Sequence, residues 1–122
     1  MSTLPPRQMY LLDMACAPLA RQKGSRGVYL VGTAQEPRGD RAPRDIDVRM
    51  ILDDIAFDRL EHAIGRNGIS FMGLAYGQYL ASITGLNIDF QVQQMTEANE
   101  IHGGKPRNPL GRRGMESFRG DA

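Results

Sequence analysis

The chain is short of the features that would place it outside the cell or in a membrane. Its 122 residues contain one cysteine, Cys16, which excludes an intrachain disulfide and a thiolate metal cluster and fits a reducing, cytoplasmic setting. No apolar run approaches the roughly 20 residues of a membrane span. The opening MSTLPPRQMY lacks the charged end and apolar centre of a secretory signal. Net charge is only +1, so the molecule as a whole is not drawn to nucleic acid or anionic lipid, and any electrostatic argument must be local. No internal repeat is present. What is there is ordinary for one globular domain: 41% hydrophobic and 24% charged residues, enough for a modest core.

The hydrophobic pattern alternates between two periods. From Arg7 to about Lys23, Met9, Leu12, Cys16 and Leu19 recur at spacings of three and four, one face of a helix. Cys16 on that stripe reads as a small buried hydrophobe. Pro18 predicts a kink or a broken last turn. Val28–Val31 reads as a short buried strand. Residues 34–44 form a loop with two prolines, a glycine and three arginines. Asp45–Leu52 is a second strand, with Ile46, Val48 and Met50 on one face and Asp45, Asp47 and Arg49 on the other. Asp53 or Asp54 caps a helix running to about Arg66, with Ala56, Leu60, Ala63 and Ile64 on its stripe. A further helix from Ser70 to about Thr84 turns Met72, Tyr76, Tyr79, Leu80 and Ile83 inward. Gly73 and Gly77, four apart on it, either permit close backbone approach or weaken the helix. Asn87–Gln94 is the third strand, with Ile88, Phe90 and Val92 opposite Asn87, Asp89, Gln91 and Gln93.

This order predicts an α+β fold: a small mixed or antiparallel sheet of three to four strands, with helices packed on one face. The core is expected over residues 1–95. Residues 96–122 read as a basic Gly/Pro/Arg-rich tail rather than a separate domain, with a short helical turn after Met95. From Gly103 the tail holds Lys105, Arg107, Arg112, Arg113 and Arg119 against Glu116 and Asp121. It is expected to bury little and to be either mobile or folded onto a partner.

The sheet's open face carries the chemistry. Residues two apart on a strand project to the same side, so the carboxylates of Asp45 and Asp47 can converge on one cation. Asp89 on a neighbouring strand would complete an oxygen-ligand set suited to Mg²⁺ rather than zinc. Gly32-Thr33, at the end of the first strand, offers a phosphate backbone amides and a hydroxyl. The bland alternative for any one of these aspartates is a solvated strand position. Asp53, Asp54, Asp58 and Glu61 read as capping and a solvated face, and His62 as a surface histidine. His102 sits near Lys105 and Arg107. Tyr76 and Tyr79 read as packing residues.

Taken together, YLVGT, DIDVRM and NIDFQV resemble the DNA polymerase beta-type nucleotidyltransferase superfamily, and in particular small stand-alone nucleotidyltransferase-like proteins of bacteria and phages. The resemblance spans roughly residues 8–95. It implies that Gly32 and Thr33 hold the β and γ phosphates of a nucleoside triphosphate. It implies that Asp45, Asp47 and Asp89 are catalytic and ligate two Mg²⁺ ions, and that Asp89 helps deprotonate a hydroxyl acceptor on protein or nucleic acid. Arg38, Arg41 and Arg44, by position and charge, are placed to steady the triphosphate. Thr33 stands where the family usually has serine. The chain lacks room for the helical domain that many members add, so the acceptor site is left to the basic tail, a second subunit or a partner. The alternative reading is a catalytically inactive binding module, such as a toxin–antitoxin partner or a phage accessory protein.

Overall fold

The computed structural model describes residues 4–32 and 45–112. The elements are α1 (Pro6–Ala20), β1 (Ser25–Val31), β2 (Ile46–Leu52), α2 (Asp54–Thr84), β3 (Ile88–Gln94), α3 (Met95–His102) and β4 (Asn108–Leu110). The four strands form one mixed sheet in the order β3-β2-β1-β4. β1 runs antiparallel to both β2 and β4, and β2 runs parallel to β3. The fold is α+β, as the alternation of periods predicted.

One face of the sheet is the core. Val28, Leu30, Ile46, Val48, Met50 and Phe90 are buried there with Leu12, Cys16 and Leu19 of α1 and Phe57, Ile69 and Leu80 of α2. Burial lifts the Cys16 thiol to about 12, with Asp13 adding to the effect, so the cysteine is the inert hydrophobe its place on the stripe suggested. α1 continues through Pro18 and ends two residues later.

α2 is two helical arms broken at Gly65, whose backbone is non-helical with a positive φ of 74° and ψ 172°. Asp53 caps the first arm, accepting a 2.7 Å hydrogen bond from the Ala56 amide. Phe57, rather than the expected Ala63 and Ile64, anchors this arm; the latter two are exposed beside the break. The second arm keeps Met72, Tyr76 and Leu80 on the core side as expected, but not Tyr79 and Ile83. It meets β3 through its glycines: a methyl on Gly73 would lie 2.7 Å from the Phe90 carbonyl oxygen, and one on Gly77 would lie 3.2 Å from that of Ile88. With that face against the strand, Ile69, Leu80 and Thr84 are buried, whereas Tyr79 and Ile83 are exposed with Phe71 and Leu74. The glycines set how closely that face approaches β3.

The segment after β3 does more than the tail reading allowed. β3 and β4 lie on opposite edges of the sheet, so the chain between them must cross a face. The crossing brings Lys105, Pro106 and Arg107 over Tyr29 and Ile51 on the open side. Ile51 is only 3% exposed, although it shares that face with Asp47 and Arg49. Leu110 is fully buried, and the Gly111 amide donates a 2.7 Å bond to the buried carboxylate of Asp13 on α1. Residues as far as Gly111 therefore belong to the folded unit. The expectation that the tail buries little from Gly103 onward fails at Leu110, because a three-residue edge strand has no sequence pattern of its own.

Candidate functional site

The open face divides into an acidic end and a basic end. At the acidic end, Asp47 and Asp89 are direct partners in the parallel pairing of β2 and β3. Partners in such a ladder project to the same side of the sheet, on strands about 4.8 Å apart. Asp45 precedes β2 by one residue and is exposed. Burial raises the Asp47 carboxyl above its ordinary range; Arg49 opposes this, while the charges of Asp89 and Asp45 and a hydrogen bond with Asp89 add to it. Asp47 thus feels the charge of both Asp45 and Asp89.

Gly32 closes this end. It has φ +72°, and a methyl there would fall 2.5 Å from Asp47 Oδ2. A side chain at position 32 would press on the carboxylate, so glycine keeps the end of β1 open beside it. Thr33, Arg38, Arg41 and Arg44 lie outside the described residues, so only the glycine of the expected phosphate cradle is located.

Arg49 has a part that its alternation alone did not reveal. Its guanidinium lies between the two paired aspartates, with Nη2 3.4 Å from Asp89 Oδ2 and 3.8 Å from Asp47 Oδ1. Nη1 donates to the backbone carbonyls of Asp89 at 2.7 Å and Val48 at 3.0 Å. The arginine is a resident counter-charge. Among the described residues, no three His, Cys, Asp or Glu side chains are grouped so as to hold a metal ion. The donor chemistry nevertheless fits a hard divalent cation: carboxylate oxygens only, on one face, with mutual repulsion that a cation would relieve.

The basic end is a cleft of about 180 Å³ that begins at Gly32 and Asp47 and runs along β1 beneath Lys105 and Arg107. Arg107 is held in place. Its Nη1 donates to Asn99 Oδ1 at 3.0 Å, its Nη2 to the Ala98 carbonyl at 3.3 Å, and its guanidinium carbon stands 5.9 Å from the centre of the Tyr29 ring. Sequence reasoning had Lys105 and Arg107 only as members of a basic tail, and it had no role for Tyr29. The single hint was the spacing of two cations around Pro106.

In the second acidic group, Asp53 is the cap that was predicted, whereas Asp54, Asp58 and Glu61 take side-chain or backbone partners in Thr96, Gln94 and Arg66. Asp53 caps α2, and Asp54 accepts from the Thr96 amide and hydroxyl at the start of α3. Those bonds hold the Asp54 carboxyl below its ordinary value. Tyr76 packs edge-on against Phe90 at 5.4 Å, as a packing residue should. Among the described residues, no helix is long and apolar enough to cross a membrane.

Searches against protein-family models, curated proteins and solved structures return no match. The functional reading therefore rests on the motifs and on the geometry of the open face.

Proposed function

We propose that the protein is a Mg²⁺-dependent nucleotidyltransferase. It transfers a nucleoside monophosphate from a nucleoside triphosphate to a hydroxyl acceptor on protein or nucleic acid, and releases pyrophosphate. The observation that carries this reading is the in-register pairing of Asp47 with Asp89 on the open face, with Gly32 against the Asp47 carboxylate.

In this reading Asp45, Asp47 and Asp89 would hold the magnesium. When bound, magnesium supplies charge stabilisation to the attacking and leaving oxygens of an in-line displacement. Gly32 leaves the backbone bare where the triphosphate approaches. Asp89, the more exposed of the paired carboxylates, would accept the proton of the acceptor hydroxyl. Arg49 keeps Asp47 and Asp89 together when no cation is present and must yield part of its hold when one arrives. Arg38, Arg41 and Arg44 remain the assigned contacts to the triphosphate from the connecting loop.

The same Arg49 supports a second reading. A guanidinium already neutralising the paired aspartates is what a non-catalytic descendant of the fold would retain, as a module that binds nucleotide or a macromolecular partner. Incubating the protein with each of the four nucleoside triphosphates, Mg²⁺ and RNA or protein acceptors separates the two. Mass spectrometry should detect a nucleoside monophosphate adduct, together with stoichiometric pyrophosphate, that disappears in the Asp47→Asn, Asp89→Asn double variant. Nucleotide binding without any adduct would favour the inactive module.

A further inference from the structure

We infer that the cleft beneath the segment from 103 to 107 is a phosphate subsite, in which Arg107 and Lys105 hold the distal phosphates of a polyphosphate. Naming a nucleotide as the source of that polyphosphate rests on the function proposed above; the anion site itself does not.

Charge is the first argument. Among the described residues, three cations, Arg49, Lys105 and Arg107, line the cleft against one carboxylate, Asp47. Arg49 is engaged with Asp47 and Asp89. Arg107 is different: Asn99, the Ala98 carbonyl and the Tyr29 ring are all neutral partners. They fix its guanidinium without cancelling its charge. Only two of its five N–H groups are needed for those two bonds. Lys105 makes no ion pair among the described residues and is exposed at the rim. A fixed fork with free donors beside a mobile ammonium is suited to phosphate oxygens.

Size is the second argument. The cleft, at about 180 Å³, falls below the roughly 300 Å³ at which pockets begin to enclose a whole small-molecule ligand. It has room for phosphate groups. Continuity is the third. The cleft opens at Gly32 and Asp47, so a chain of phosphates entering it has its other end at the acidic site. The fold gives a reason for the long crossing from β3 to β4: it lays two cations of the late sequence over a strand from the early one.

The test is calorimetric titration of the full chain with sodium tripolyphosphate, and separately with inorganic phosphate, in the absence of divalent ions. Tripolyphosphate should bind more tightly than phosphate. Arg107→Ala and Lys105→Ala should each weaken it about tenfold, as expected for a lost charge-assisted hydrogen bond. Lys105 is exposed, so its variant reports on binding even if Arg107→Ala disturbs the segment. Unchanged tripolyphosphate affinity in both variants would overturn the assignment, even if magnesium nucleotide still bound and still needed the aspartates. Loss of tripolyphosphate binding in the variants, beside a wild type that binds no magnesium nucleotide, would keep the subsite and sink the nucleotide reading. A third arm uses a single-stranded oligonucleotide. If the variants weaken it and leave tripolyphosphate untouched, the polyphosphate assignment is overturned.

Discussion

The acidic and basic ends of the open face share one sheet but are built in opposite ways. At the acidic end, Asp45 and Asp47 are two residues apart and Asp89 lies on the next strand, and nothing described roofs the three. At the basic end, Tyr29 and Ile51 form a floor that a distant segment covers with Lys105 and Arg107. The first is a local pattern exposed to solvent. The second is made by a crossing connection and depends on the edge strand that anchors it. Damage to the anchor should therefore alter the basic end and stability together, whereas charge changes at the acidic end should alter binding with little loss of fold.

The largest effect should come from the anchor. Leu110 is fully buried between β1 and α1, so Leu110→Ala should cost about 2–5 kcal/mol in urea-induced unfolding. Asp13→Ala removes the acceptor of the Gly111 amide and should cost about 1–3 kcal/mol. Hydrogen exchange should then show lost protection in β4 before the rest of the sheet. An equal loss throughout would mean that the crossing segment is not a separate layer over the face.

Next comes the counter-charge. Arg49→Met leaves Asp47 and Asp89 unneutralised and should tighten Mn²⁺ binding several-fold in a calorimetric titration. Weaker binding in that variant would make the arginine a support of the cation site rather than its competitor.

The smallest effects concern protons, and they should have opposite signs for two aspartates. The Asp54 carboxyl is held below 3.8 by Thr96. Its contribution favours the fold above the unfolded value and is lost as pH falls through the folded one. Asp54→Asn should destabilise at neutral pH, and the difference should vanish in acid. Asp47 is raised above 3.8, chiefly by burial. The folded chain takes up this proton first, so the ionised carboxylate opposes folding at neutral pH and ceases to do so as pH falls through its raised value. Asp47→Asn should match or exceed the wild type at neutral pH and lose that advantage by 3.8. Urea unfolding across the acid range measures both, and a destabilised Asp47→Asn at neutral pH would contradict the burial argument.

How much of this was legible in the sequence follows from the range of the interactions. The faces of β2 and β3 were readable because a period of two assigns Ile46, Val48, Phe90 and Val92 to one side and Asp47, Arg49 and Asp89 to the other without knowledge of the neighbours. The cap at Asp53 and the break near residue 65 were readable for the same reason, since each is decided within one turn. The edge of the buried face on the second arm of α2 was not. Met72, Tyr76 and Leu80 do face inward, but the close approach of Gly73 and Gly77 to β3 leaves Tyr79 and Ile83 outside, and only the position of β3 decides that. The basic cleft was the least legible part. Asn108–Leu110 is too short for a periodic signal, and its pairing with Val28–Leu30 spans most of the chain. Arg49 was placed on the correct face, but its reach between two carboxylates depends on the register of β2 against β3.

The central claim is that the paired aspartates form a cation-dependent nucleotide site, and a calorimetric titration of each nucleoside triphosphate with Mg²⁺ tests it most directly. The account predicts binding of at least one triphosphate that requires the cation and is lost in the Asp47→Asn, Asp89→Asn variant while the fold is retained. Binding that is indifferent to Mg²⁺ and to both aspartates, or no binding of any triphosphate, would contradict it.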